Sequence, residues 1–138
     1  MVALVSPQPQ PQQNMIALVS RTGRHLQRYS NGRRQVVGCI PYKYKAGELQ
    51  VLVISSKKGK GMLFPKGGWE KDESKEEAAI RETIEEAGVK GVVELELGKW
   101  SFMSKTHHTL YDGYMFPLLV QEQFEFWPEK NFRQRRWV

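Results

Sequence analysis

Residues 67–89 leave this chain little conformational freedom. The segment Pro65–Glu70 (PKGGWE) has two glycines that permit close backbone approach to a ligand. After it, Ser74 and Glu77 stand at the spacing of a capping box, which starts a helix. Gly88 is a natural stop, because glycine reaches the left-handed conformation that closes a helix. At about 100° per residue, Ala79, Ile80, Thr83, Ile84 and Ala87 fall on one arc of roughly 140°. Glu82, Glu85 and Glu86 gather on the opposite side within about 100°, so the three carboxylates project together. Arg81 precedes Glu85 by four residues and can pair with it. An apolar helix face needs a surface to cover. Val36–Tyr44 and Leu49–Ser55, joined by a turn at Gly47, read as a hairpin. Val92–Leu97, Lys99–Met103, Leu110–Val120 and Arg135–Val138 read as further strands. Strands around one well-marked helix predict a mixed α/β domain.

At 138 residues the chain suits one domain with a real core. The boundary is expected near residue 21, with residues 1–20 a flexible extension and 21–138 the folded domain. Met1–Ser6 and Met15–Ser20 are near copies flanking the Pro/Gln tract Pro7–Asn14, which cannot build a core; the duplication is compatible with an alternative start at Met15. No apolar run approaches the roughly 20 residues of a spanning helix, so no membrane association is expected. The single cysteine, Cys39, excludes an internal disulfide and an all-cysteine zinc site, and fits a reducing compartment. Cytoplasm or nucleus is the default location. The acid-free, arginine-containing start keeps a mitochondrial presequence as the alternative.

The net charge of +6 is uneven: no acid precedes Glu48, and the tail after Glu129 carries Lys130, Arg133, Arg135 and Arg136. A basic body around an acidic centre points to an anionic partner, although solubility alone would also explain excess Lys and Arg. The three glutamates have two readings. An ordinary amphipathic helix would leave them solvated. Held together without a counter-ion, however, they repel by a few tenths of a kcal/mol per pair. A hard divalent cation removes that repulsion, and Mg²⁺ completes its shell with waters and substrate phosphates.

Gly67, Glu73, Arg81, Glu82, Glu85, Glu86 and Gly88 fit the pattern G-x5-E-x7-R-E-U-x-E-E-x-G-U over Gly67–Val89. That pattern resembles the signature of the Nudix hydrolases, with Thr83 the one departure, at a position where an aliphatic residue is usual. The resemblance implies an α/β/α sandwich with a mixed β-sheet and hydrolysis of a pyrophosphate linkage. It implies that Glu82 and Glu86 bind Mg²⁺ or Mn²⁺ and that Glu85 is a further ligand or the general base. Arg81 would orient a carboxylate, and the Gly67 carbonyl would join the metal shell. Glu122 and Glu125 are alternative bases. The stretch from Arg21 to Val138 is similar to plant members of the branch acting on diphosphoinositol polyphosphates and dinucleoside polyphosphates. In that branch, residues matching Ser55, Ser56, Lys57, Lys105 and Arg133 contact a small-molecule polyphosphate. The branch continues into a C-terminal helix, whereas this chain stops at Val138; loss of that helix would expose an apolar patch.

Two alternatives stand beside this reading: a non-catalytic polyphosphate- or RNA-binding module, and an enzyme for nucleotide sugars, oxidised nucleotides or capped RNA. Nucleic acid is disfavoured because the aromatic–basic alternation of an RNA-binding sheet is missing. Trp69, Trp100, Trp127 and Trp137 read as core or rim packing, and His107-His108 as a wet loop.

Overall fold

The computed structural model describes residues 20, 21, 23, 25–104 and 108–138. Most of the expected extension, together with Lys105 and His107, lies outside the described residues.

The hairpin forms as expected from β2 (Arg33–Lys45) and β3 (Glu48–Ser55), following the short β1 (Tyr29–Ser30). Lys45 pairs with Glu48 across Ala46-Gly47, whose φ angles of 52° and 81° are those of a tight hairpin turn. Two short strands follow, β4 (Met62–Leu63) and β5 (Lys66–Gly68). β5 replaces part of the loop expected at Pro65–Glu70 by pairing with Val36–Gly38 of β2. This needs glycine at position 38, where a Cβ would collide with the Pro65 carbonyl and Lys66.

Helix α1 (Lys75–Ala87) starts with both halves of the capping box: the Glu77 amide donates to Ser74 Oγ at 3.0 Å, and the Ser74 amide donates to Glu77 Oε1 at 2.8 Å. It ends at Gly88 in the left-handed region. Then come β6 (Val89–Val93), β7 (Gly98–Met103), β8 (Leu110–Gln123) and β9 (Arg135–Trp137).

The expected strand Val92–Leu97 is shifted in the structure to Val89–Val93. The reason lies in β8. The Glu94 amide donates to the Pro117 carbonyl, but Pro117 has no N–H to return, so the ladder stops there. Beyond that proline the same edge of β8 pairs with β7 instead, Gly98 opposite Met115 through Met103 opposite Leu110.

β2 and β8 run parallel at the centre of the sheet, while the other pairings are antiparallel, giving the path β4-β3-β2-β8-β6. Val37 and Cys39 of β2 join Phe116 and Leu118 of β8 beneath Ala78 and Ala79. A second cluster places Ala87 and Val89 on Leu52 and Ile54. Small residues on α1 let the helix lie close to the sheet, which sets the height of the side chains on its flanks. This is the mixed α/β architecture expected from the sequence. No helix among the described residues is long and apolar enough to cross a membrane.

Candidate active site

The site is built by closing two segments over one flank of α1. At its C-terminal end, the carbonyls that an α-helix leaves unpaired all find donors. The Glu85 carbonyl accepts from the Glu129 amide, and the Glu86 carbonyl from Trp127 Nε1 at 3.1 Å. The Ala87 and Gly88 carbonyls accept from Arg135 Nη1, whose guanidinium stacks 3.9 Å from the Trp127 ring. Segment 124–135 thereby holds the last turn of α1 and lies against its glutamates.

On the other side Arg81 ties the helix to the loop before it. Its Nε and Nη2 grip both oxygens of Glu73, and Nη2 also donates to the Gly68 carbonyl at 2.9 Å. Its Nη1 donates to Glu82 Oε2 at 2.9 Å and Glu85 Oε2 at 3.2 Å, the pairing expected from the four-residue spacing. Gly67 packs directly on the Glu82 carboxylate, where a Cβ would collide. The Lys66 amide donates to Glu86 Oε1 at 3.2 Å.

The consequence is burial. Glu82, Glu85 and Glu86 retain 8%, 5% and 7% of their exposure, so the acidic flank is not a solvated face. The expected division of the helix is corrected in the same way: Ile80 and Ile84 are only partly buried, while Ala78 and the three acids are inside. The helix is covered by the sheet on one side and by the loop and the C-terminal segment on the next.

Burial, the largest influence, pushes the Glu82 carboxyl well above the usual range; Arg81 opposes it, while Glu86 and Glu85 add to it. Glu86 is raised by burial against the pull of Arg133, and Glu85 by burial against Arg81. Burial alone would lower the Arg81 pKa, but the Glu73 hydrogen bond and the Glu82 and Glu85 charges raise it. Burial therefore makes the charged forms of these acids costly unless a further positive charge joins them. An oxygen-only donor set, buried and roofed by a glycine, fits a hard divalent cation.

The remaining expected residues are distributed unevenly. Arg133 is buried beside Glu86, with Nη2 3.7 Å from Glu86 Oε2, Nε donating to Glu129 Oε1 at 3.0 Å and Nη1 donating to the Ser55 carbonyl at 2.9 Å. Ser55 is thus drawn to the site, its Oγ accepting from the Gln134 amide. Ser56 closes its own loop through Lys60, and Lys57 on that loop is exposed. Glu122 and Glu125 are exposed.

Sequence reasoning missed Glu129, Glu70 and the pairing role of Arg21. Glu129 raises both Glu85 and Glu86, and its i,i+4 spacing to Arg133 was the available signal. Glu70, Asp72 and Glu73 offer oxygens within 4.8 Å of one another, and Arg21 lies against Glu70 and Asp72.

Beyond Lys66, on the sheet face away from α1, a cavity of about 360 Å³ is lined by Val36, Ile40, Phe64, Trp100, Phe102 and Met115. Trp100, 47% exposed, forms part of this rim, whereas Trp127 is buried.

A mixed sheet carrying a loop–helix–turn with three buried glutamates on one helix flank is the arrangement described by the sequence pattern at Gly67–Val89. The sequence matches the NUDIX domain over residues 32–138, and the chain belongs to the Nudix family, hydrolases acting on acid anhydrides in phosphorus-containing substrates. It is 64% identical over 139 residues to Nudix hydrolase 21, chloroplastic, of Arabidopsis thaliana, covering 97% of this chain and 70% of that protein. Nudix hydrolase 4 of the same plant is 62% identical over 91% of this chain and 65% of its own length. Nudix hydrolase 18, mitochondrial, is 61% identical over 90% and 74%. Thus the chain spans between about two thirds and three quarters of these relatives. Among solved structures, a C. elegans Ap4A hydrolase shares the fold with a TM-score of 0.56 at 17% identity, over 73% of this chain and 77% of its own.

Proposed function

We propose that residues 21–138 form a metal-dependent pyrophosphohydrolase domain that cleaves phosphoanhydride bonds in dinucleoside polyphosphates or diphosphoinositol polyphosphates. The observation carrying this reading is the buried trio Glu82, Glu85 and Glu86, with Gly67 packed on the Glu82 carboxylate. Glu82 and Glu86, with Glu85 and the Gly67 carbonyl as proposed further ligands, would hold Mg²⁺ or Mn²⁺. When bound, such a cation neutralises phosphate oxygens and acidifies a bound water. Glu85 is the proposed general base: it removes a proton as the water oxygen bonds to phosphorus, the bridging P–O bond breaks, and the leaving phosphate carries off the electron pair. Arg81 Nη1, donating to both, holds the Glu85 carboxylate beside that of Glu82. Arg133, next to Glu86, is proposed to meet the substrate phosphates, with Ser55, Ser56, Lys57 and Lys105 along the more distal ones.

Between the two substrate classes, the aromatic and aliphatic cavity beyond Lys66 favours a flat nucleoside group over a fully phosphorylated ring. The similarity to an Ap4A hydrolase fold agrees with that choice. The relatives named chloroplastic and mitochondrial support an organellar address over cytoplasm or nucleus, which a fluorescent fusion of the complete protein would test.

Glu86→Gln is the discriminating variant. With Mg²⁺ or Mn²⁺ it should lower kcat by at least ~100-fold on diadenosine and diphosphoinositol polyphosphates while retaining the fold. Unchanged turnover in that variant, or full activity in excess chelator, would overturn the reading. Salt-sensitive binding without phosphate release from any polyphosphate would favour the non-catalytic module instead.

A further inference from the structure

Ser20 and Arg21 lie across the mouth of the glutamate flank, although they sit far from it in sequence. The Arg21 main-chain amide donates to Glu85 Oε2 at 3.3 Å, the same oxygen that accepts from Arg81 Nη1. The Arg21 guanidinium is clamped between Glu70 and Asp72, with Nη1 3.0 Å from Asp72 Oδ1. Ser20 Oγ is 3.5 Å from Glu129 Oε2, on the carboxylate that Arg133 holds. Two residues therefore touch the loop, the helix and the C-terminal segment that together form the site.

We infer that Arg21 is a positioning residue for Glu85: its side chain anchors to Glu70 and Asp72, and the anchored backbone presents a fixed N–H to the Glu85 carboxylate. The inference rests on the proposed role of Glu85. The two donors on Oε2 differ in kind. Arg81 is on α1 with Glu85 and moves with it, whereas the Arg21 amide belongs to another segment and fixes the carboxylate relative to the loop. A side-chain donor could also swing away with its rotamer. A main-chain donor cannot, provided the guanidinium stays clamped, which takes Glu70 and Asp72 together. Loss of the outer groups that orient the ligands of a metal site typically costs about 10- to 100-fold in metal affinity or activity.

Two measurements on the full chain test this. The first needs no turnover: amide hydrogen exchange at residue 21, read by NMR, should be at least about tenfold slower than in an unstructured peptide, and Asp72→Ala should abolish that protection. The second is kinetic. Arg21→Ala should lower kcat about tenfold with KM unchanged, and the Arg21→Ala/Asp72→Ala double variant should be no worse than Arg21→Ala alone, because both break one clamp. Unprotected exchange at residue 21 in the parent overturns the inference whether or not the parent is active. A kcat within twofold of the parent, additive losses, or a rise in kcat, which would make the arm an obstruction, overturns it as well. A parent that hydrolyses none of the polyphosphates defeats the proposed function, while the exchange experiment still decides the position of the arm.

Discussion

Two flanks of α1 are buried for opposite physical reasons. Ala78, Ala79 and Ala87 are fully enclosed against the sheet, where each buried methyl adds to stability. Glu82, Glu85 and Glu86 are almost as enclosed, and burial raises each of their pKa values. One flank holds the fold together; the other is held by it. The sharpest way to break this comparison is Glu86→Gln. Glutamine mimics the protonated acid that burial favours, and it still accepts from the Lys66 amide. Its large loss of kcat should therefore come with an unchanged or higher melting temperature near pH 8. A clear drop in melting temperature would show that the acidic flank, too, stabilises the fold.

The alanine flank should respond the other way. Ala79 has no exposure and lies over Val37 and Cys39, so Ala79→Leu forces extra methylenes into a closed space. Overpacking of this kind costs about 1–3 kcal/mol. A denaturant melt should show that loss, while kcat per folded molecule stays near that of the parent. A well-folded Ala79→Leu with impaired turnover would mean that helix height, set on this flank, governs the glutamates directly.

The pH dependence of the metal-free chain separates the flanks by sign. A carboxyl whose folded pKa is raised holds a proton in the folded state after the unfolded chain has released it. Between the ordinary value of 4.5 and about 8 at Glu82, the folded chain binds more protons, so its stability falls as pH rises through that window. Metal-free melting temperature should drop by several degrees from pH 5 to pH 8. Excess Mg²⁺ should flatten or reverse the slope, because bound metal requires the deprotonated acids and stabilises the state that holds it. Rising metal-free stability toward pH 8 would contradict the burial argument.

What was legible in the sequence follows the range of the interactions. The capping box at Ser74 and Glu77, the stop at Gly88, the turn at Gly47 and the pairing of Arg81 with Glu85 are all local, so their spacing was enough. The mixed sheet was legible as strand candidates, but not the register change at Pro117, which depends on a partner strand missing a donor. The burial of the glutamates was not legible, because helical periodicity describes one helix and says nothing about which other segments cover it. Arg21 reaches Glu85 across 64 residues of chain and Glu70 across 49, Ser20 reaches Glu129 across 109, and no spacing rule encodes such distances. The one signal available, Glu129 with Arg133 at i,i+4, shows a pair but not what it faces.

The smallest effect is expected where the two flanks meet. Thr83 occupies the position at which the family pattern usually has an aliphatic residue, and it is fully buried beside Ala79. Its Oγ1 donates to the Ala79 carbonyl at 2.7 Å, and Cys39 Sγ lies 3.5 Å from the same oxygen. Thr83→Val removes that hydroxyl but leaves the carbonyl its main-chain helical donor, so no buried acceptor is orphaned. The added methyl fills the same volume and gains apolar contact. The lost bond and the gained burial offset to within about 1 kcal/mol. Thr83→Val should thus melt close to the parent and turn over substrate at the parent rate. A destabilisation well beyond that size would mean that the hydroxyl fixes the rotation of α1, and through it the aim of all three glutamates.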